Sequence, residues 1–538
     1  MNPLTEKTLL IGNASCVRRI ADEMLARGIE PVIVTSGESA DASPAVAQNG
    51  NGAKPVSVYS GTKVLSCRGA SGHFEVVLDN NGIERQAAVG QIVIAGGEKR
   101  IPYYSSYGLD RADPVMALSQ LKKLLSEPSA ESSRFAAVSS VVFLDGLHAE
   151  SNPIICEDIM RASLQLQANR KPRIYILTRN LKVGGYGLEA MYRKTRAAGV
   201  NYIKFTTTPP KMTQLEDGRV KFEFTDEITG SRFGLTSDLT VIDEQIVPDD
   251  ETVDLAKRLA LDMDLKGFAQ GDNIHRLTVF SNRNGIFVAG PARNAQSLPD
   301  QRIDADNAVL SLLAAMRPAD DQTVGKARIN DAKCIRCLTC LRLCPHQAIQ
   351  FNTRVSVTVQ ACEKCGICAA ECPRCAISLD NQQPPGNIAP AAATIRQSAD
   401  GSFIPSIAAF CCSRSAKGAA QMASCLGHPL PQGLQLIEVP CGGSVSLRHI
   451  LEALQRHADG VMVLTCHEGN CHSERGNIHA RQRGDEMRRR LTTMGLEAAR
   501  LVNKSLAANM GIEFAQALTA FEQQLLKMGP KQLKKENI

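Results

Sequence analysis

The 538-residue sequence contains no tryptophan, and aromatic residues make up only 4% of it. Proteins that grip single-stranded nucleic acid stack bases on aromatic side chains, so this chain is poorly equipped for that task. It also lacks a strong charge imbalance. Lys and Arg number 61 against 55 Asp and Glu, and the cations are interspersed with acids rather than gathered in blocks. No nucleic acid is therefore expected as a partner. No run approaches the roughly eighteen apolar residues of a membrane span, and the opening MNPLTEKTLLIGNASC has no basic segment leading into a cleavable apolar stretch. These absences predict a soluble, cytoplasmic protein. What the chain has in quantity is cysteine, eighteen residues. In a small secreted domain they would pair as disulfides. In a large chain, with eight of them in two tight repeats, they predict metal binding in a reducing compartment.

At roughly 100–200 residues per domain, the chain should hold about three or four. TLLIG, the helical CVRRIADEMLARG and EPVIVT read as strand, helix and strand, so the opening domain is α/β. Residues 36–55 are polar and small, with no face to pack. VSVYSGTKV, HFEVVLD and QIVIAGG suggest a small antiparallel sheet returning to the parallel one. A second α/β unit follows in VVFLDG, CEDIMRASLQLQ and RIYILT, then a helix in LEAMYRKTRAAG and strands near KFTT, RVKFEF and LTVID, with a late buried strand in GIFVAGPAR. The expected divisions are an α/β region at 1–325, a Cys-rich module at 326–381, a Pro/Ala/Gly linker at 382–402, a further α/β domain at 403–528 and a frayed tail at 529–538.

Two repeats carry the sharpest chemical signal. Cys334, Cys337, Cys340 and Cys344 precede Pro345, and Cys362, Cys365, Cys368 and Cys372 precede Pro373, both in the spacing C-x2-C-x2-C-x3-C-P. Three close thiolates can hold three corners of one [4Fe–4S] cubane, while the fourth Cys reaches the other cluster. One site is thus Cys334, Cys337, Cys340 and Cys372; the other is Cys362, Cys365, Cys368 and Cys344. Structural zinc would want separated Cys pairs instead. Cys375, just beyond the second repeat, reads as a packed thiol, and so does Cys156.

The C-terminal domain holds a second set: Cys411 and Cys412 end one apolar strand, Cys441 follows the next, and CHEGNCH spans Cys466 to His472. Loops after parallel strands gather on one sheet edge, so these thiols should converge. The site resembles the iron-sulfur domain of the methyl-viologen-reducing hydrogenase delta subunit, on Phe410-Cys411-Cys412, Cys441-Gly442-Gly443, Ala458-Asp459-Gly460-Val461, the Cys466–His472 motif and Gly476-Asn477. The resemblance implies a [2Fe–2S] cluster on Cys411 or Cys412, Cys441, Cys466 and Cys471. Ser413, Arg414 and Ser415 stand where that family often carries another Cys, so the choice between Cys411 and Cys412 stays open, as do zinc or packed thiols. His467 and His472 read as flanking groups rather than ligands.

In the N-terminal half, Gly12-Asn13-Ala14 sits between strand and helix where a dinucleotide fingerprint belongs, with two of its three glycines missing. Thr35 and Ser36 end the next strand, where an acid would hold ribose. Gly96-Gly97 and Gly290 suit the later turns of a two-part flavoprotein, and VVFLDGLHAESNP offers no nicotinamide fingerprint. Residues 1–320 resemble the flavoprotein A subunit of heterodisulfide reductase and, through VVFLDGLHAESNPIICEDIMRASLQLQ, ILTRNLKVGGYGLEAMYRKTRAAGVNYIKF and DNIHRLTVFSNRNGIFVAGPAR, still more the B subunit of the quinone-interacting membrane-bound oxidoreductase complex. That resemblance implies a Rossmann-like α/β flavoprotein region, with FAD near Gly12, Ala14, Gly96, Lys182, Gly184, Gly185 and Gly290. It further implies an electron-transfer subunit relaying between flavin, two [4Fe–4S] clusters, a [2Fe–2S] site and partner subunits, a second flavoprotein and a membrane quinone-interacting one. The alternative is a heterodisulfide-reductase-type flavoenzyme that reduces disulfides or takes part in electron bifurcation. The Arg488-Arg489-Arg490 run reads as a solvated helix face.

Overall fold

The computed structural model describes residues 7–12, 15–36, 56–126, 138–169, 171–227, 229–270, 273, 278–316, 325–379, 403–456 and 458–531. Ala14, the expected linker, most of the polar 36–55 stretch and the last residues of the expected tail lie outside them. The chain forms two compact units. One comprises Met1–Gly96, Glu251–Arg293 and Arg302–Ile538, the other Gly97–Asp250 and Asn294–Gln301. The second α/β unit is thus inserted into the first in sequence.

The first unit opens on a five-stranded parallel sheet in the order Ile286–Val288, Gln91–Ile94, Thr8–Ile11, Pro31–Val34, Ser57–Tyr59. TLLI, PVIV, QIVI and IFV are buried at every position, as strands covered on both faces must be. Thr62–Ala70, His73–Asn80 and Ile83–Val89 form a separate antiparallel meander. Ser57–Tyr59, expected in the antiparallel set, instead adds to the parallel edge. Gly12 takes φ 148°, and a Cβ there would stand 1.9 Å from the Ala95 carbonyl oxygen. Only glycine lets the two strand ends approach so closely.

Further along the same unit, two antiparallel strand pairs, Ala327–Ile329 with Ile377–Leu379 and Ile349–Phe351 with Val355–Val357, frame the Cys repeats. The C-terminal part is a four-stranded parallel sheet ordered Leu434–Val439, Ile407–Cys412, Gly460–Thr465, Leu501–Ser505. Helices Leu447–Arg456 and Gly476–Thr493 cover one face. Ala416–Cys425 and Gly511–Met528 cover the other. The helix that carries the Arg488–Arg490 run is followed by a strand, Leu501–Ser505, and a helix, Gly511–Met528, that the sequence reading did not separate. The basic helix stops at Thr493. The chain then turns back so that Arg500, 1% exposed, can donate to the Asp459 and Gly529 carbonyls before pairing begins at Leu501. Leu501–Ser505 is short and half polar, the weak pattern of an edge strand.

The second unit is a parallel sheet ordered Asn201–Lys204, Arg173–Thr178, Ser140–Asp145, Leu239–Ile242, Val115–Ala117. Pro153–Asn169 and Leu118–Ser126 pack on it around Phe143, Ile159 and Val241. Among the described residues, no helix is long and apolar enough to cross a membrane.

Three cysteine sites in one unit

The two C-x2-C-x2-C loops share a backbone shape. Arg336 and Lys364 are left-handed at φ 55° and 58°, and Leu338 and Gly366 follow at 59° and 79°. These kinks curl each loop before the short helices Thr339–Leu343 and Ile367–Ala370 carry the remaining thiols. The fourth cysteine of each repeat accepts a backbone N–H from four residues on, Ala348 to Cys344 at 3.3 Å and Ala376 to Cys372 at 3.2 Å. Such N–H···S bonds stabilise a thiolate and tune the metal it holds.

Two hollows separate the eight thiols into fours. One is lined by Cys334, Cys337, Cys340 and Cys372. The other is lined by Cys344, Cys362, Cys365 and Cys368. Each takes its fourth cysteine from the other repeat. Four thiols set among mostly apolar side chains fit a cubane in each hollow. Among the described residues no group of three His, Cys, Asp or Glu side chains is arranged for a single metal ion; a cluster asks for less convergence, because each thiolate binds a different iron.

The two hollows differ in environment. Cys337 is exposed, and the Thr339 hydroxyl and N–H hold its thiol below the ordinary range. Burial pushes the thiols of Cys365 and Cys368 far up, reinforced by neighbouring cysteines. Lys326 donates to the Cys362 carbonyl beside the second hollow at 2.5 Å, and burial lowers its ammonium pKa. Glu363 meets the Asn284 amide and lies 3.9 Å from His472. Burial would raise its carboxyl, but the amide and nearby cations bring it below normal.

The third site lies at the carboxyl edge of the C-terminal sheet. Cys412, Cys441, Cys466 and Cys471 form one buried cluster, and Cys365 of the second hollow packs against it. Cys412 and Cys466 sulfurs stand 3.6 Å apart, and Cys471 bonds to both the Cys441 and Cys466 thiols. Contact with Cys466 and burial drive the Cys412 thiol up; contact with Cys441 takes that of Cys471 to about 12. Buried thiolates this close would repel one another unless iron neutralised them. The residues fit an iron-sulfur centre.

Alternation along the strand decides between the adjacent cysteines. Cys412 faces the thiol cluster. Cys411 points to the opposite face, within the apolar core beside Ala409, Met462 and Phe514, where burial raises its thiol to about 12. The sequence reading included both; only Cys412 joins Cys441, Cys466 and Cys471. Several supporting groups had no role assigned from the sequence. Ser415, where a further cysteine was considered, donates its hydroxyl to Cys466 at 3.3 Å. Asn477 reaches the Cys466 carbonyl at 3.1 Å, and Asn273 reaches that of Cys471 at 2.9 Å. Arg483, 6% exposed, pairs with Glu371 of the second repeat and donates to the Gly443 and Val445 carbonyls. It thereby fixes the Cys441 loop against the Cys-rich module. At Gly476 a Cβ would stand 2.3 Å from the Cys441 sulfur, so a side chain is excluded there.

Of the expected flavin residues, Gly12, Gly96 and Gly290 follow three neighbouring strands at the carboxyl edge of the N-terminal parallel sheet. Lys182, Gly184 and Gly185 belong to the other unit, where Lys182 pairs with Glu150 and the two glycines have no atom near their missing Cβ. An acid from another element reaches the end of the second strand. The helix Asp250–Arg258 sets Thr252 against Gly96 and brings the Glu251 carboxylate onto the Ser36 hydroxyl.

The remaining candidates have structural partners. Cys156 is buried 3.3 Å from the Ser151 hydroxyl and 3.5 Å from the Asp145 carboxylate. Asp243 accepts from Tyr107 at 2.9 Å and from the Gly146 N–H at 2.7 Å; burial raises its carboxyl to about 7, despite these bonds. Cys375, expected to be packed, is exposed at φ 48°. Arg488, Arg489 and Arg490 pair with Asp485 and Glu486 on their own helix.

Residues 407–529 match the family described as methyl-viologen-reducing hydrogenase, delta subunit, and residues 326–373 match the 4Fe-4S dicluster domain. The iron-sulfur D subunit of the F420-non-reducing hydrogenase of Archaeoglobus profundus is 36% identical over 126 residues, 23% of this chain and 92% of that protein. The A subunit of the ferredoxin:CoB-CoM heterodisulfide reductase of Methanosarcina mazei is 24% identical over 451 residues, 80% of this chain and 56% of that protein. The chain therefore spans about half the length of that relative. The solved thioredoxin reductase of Lactococcus lactis aligns with 57% of this chain and 98% of its own at 15% identity and a TM-score of 0.38. Similar along most of its length to the A subunits of heterodisulfide reductases, the chain belongs through residues 407–529 to the methyl-viologen-reducing hydrogenase delta-subunit family.

Proposed function

We propose that the chain is an electron-transfer subunit of a heterodisulfide-reductase-type oxidoreductase, with cysteine sites for two [4Fe–4S] clusters and one [2Fe–2S] cluster in series. The observation that carries this reading is the packing of Cys365 against Cys412, Cys441, Cys466 and Cys471, which joins the second hollow to the third site without an intervening layer of protein. When bound, the clusters supply one-electron redox chemistry. The chain's residues determine where that chemistry occurs. Cys344, Cys362, Cys365 and Cys368 bury the middle site, Ser415 and the N–H groups of Gly443, Ala348 and Ala376 direct donors at sulfur, and the Arg483–Glu371 pair fixes the spacing between modules.

FAD belongs, in this reading, at the carboxyl edge by Gly12, Gly96 and Gly290, where the sheet order reverses and Glu251 offers a carboxylate for ribose. Of the two complexes the sequence suggests, the heterodisulfide reductase type is better supported, because relatives with that name match most of the chain. Membership in the quinone-interacting complex, with membrane association through its partner, rests on the segments quoted above. Partner subunits of either kind suit a protein whose relatives are themselves subunits. Anaerobic iron, sulfide and flavin quantitation on the isolated chain tests the proposal. About ten irons, the sum of two four-iron and one two-iron centre, with one FAD are expected. About eight irons and no flavin would reduce the chain to a two-cubane relay.

A further inference from the structure

The two cubane hollows are unequal in access. Cys365 is covered by the C-terminal thiols, whereas Cys337 and its neighbour Ile335, 59% exposed, open the first hollow to solvent. Arg374 lines that hollow with Ile335 and the four thiols, Lys333 and Arg336 flank Cys334 and Cys337 in the chain, Arg342 acts electrostatically on Cys337, and all four cations are exposed. None of these four cations forms an ion pair among the described residues. Among the described residues, the acids of the module have other partners. Asp331 lies 3.6 Å from Arg354, Glu371 pairs with Arg483, and Glu363 faces Asn284 and His472.

An unneutralised cationic rim around an exposed apolar residue and an exposed ligand thiol contrasts with the Arg488–Arg490 run, whose charges are cancelled within its own helix. Charge of one sign at such a rim steers an oppositely charged protein and orients its approach. We infer that the face around Cys337, Ile335 and Arg374 is the docking port of an acidic protein carrying a one-electron centre close to its own surface. Electron exchange falls steeply with distance, so the exposed hollow is where such a partner meets the chain, and the third site is reached through the buried one. The inference rests on the reading that the first hollow holds a cluster.

The test uses the full-length, cluster-loaded chain with a small acidic ferredoxin as probe. Binding affinity and the second-order rate of electron exchange are followed across ionic strength. Charge reversal at Lys333→Glu, Arg336→Glu and Arg374→Glu together should slow association about tenfold or more at low salt and flatten its salt dependence. Arg489→Glu with Arg490→Glu should leave both unchanged. Iron content and reduction by a neutral small-molecule reductant are measured for every variant; loss of either in the wild type would refute the cluster reading itself. Intact clusters with no binding of the ferredoxin, or equal rates in the wild type and triple variant, would overturn the docking port alone.

Discussion

Replacing Cys411 and Cys412 separately by serine should have opposite consequences, although the residues are adjacent. Successive side chains of a strand point to opposite faces. Cys412 lies with Cys441, Cys466 and Cys471, while Cys411 lies in the core with Phe514 and Met462. Cys412→Ser removes a thiolate from a four-thiol set, so iron should fall from about ten to about eight atoms per chain and the two-iron signal should vanish with the cubane signals intact. Cys411→Ser keeps every candidate ligand. Its cost is the burial of a hydroxyl, about 1–3 kcal/mol, lessened because the Ala409 carbonyl already accepts from the Cys411 thiol at 3.6 Å. The iron count should stay at the wild-type value while the C-terminal domain melts a few degrees earlier. Iron analysis and electron paramagnetic resonance on the two purified variants decide the matter. Loss of the two-iron signal in Cys411→Ser, with retention in Cys412→Ser, would refute the assignment by strand alternation.

Three further outcomes follow from contacts described above. In Gly476→Ala the new methyl would stand 2.3 Å from the Cys441 sulfur and 3.4 Å from that of Cys471; the two-iron centre should be lost or substoichiometric by iron analysis, with both cubanes retained. Glu251→Gln should weaken FAD binding, measured by flavin fluorescence titration, by about tenfold, the worth of one charge-assisted hydrogen bond, while leaving the iron content untouched; an unchanged affinity would show that Glu251 holds no ribose. Asp243 has its folded pKa raised from 3.8 to about 7 by burial, with the Asp145 charge adding to it. The folded state then binds more protons than the unfolded one between these values, so Asp243's contribution to stability falls as pH rises through that window, by up to about 1.4 kcal/mol per pH unit. The melting temperature of Asp243→Asn should lack this component of the decline between pH 4 and about 7, and a pH profile identical to the wild type would contradict it.

The cubane cysteines were legible because cluster ligation writes a fixed local spacing into the chain. The α/β character of both halves was legible too, since buried parallel strands such as TLLI and QIVI are apolar throughout. What stayed hidden depends on long-range packing. No local pattern distinguishes Cys411 from Cys412, because the choice is made by which sheet face meets the loops of Cys441 and Cys466. Glu251 lies 215 residues from Ser36 in sequence, and Arg483 lies 112 from Glu371; both pairings form only once the chain has folded. The Cys375 side chain went the other way: packing was expected, but the left-handed turn after Pro373 leaves it at the surface.

The three thiol sites stand in series, with the second touching the third. Paramagnetic centres in contact broaden and split each other's signals, so electron paramagnetic resonance of the fully reduced chain should give a coupled spectrum that simplifies to that of two interacting cubanes in Cys412→Ser. A wild-type spectrum that is the plain sum of cubane signals and an isolated two-iron signal, unaltered at the cubanes by Cys412→Ser, would contradict it.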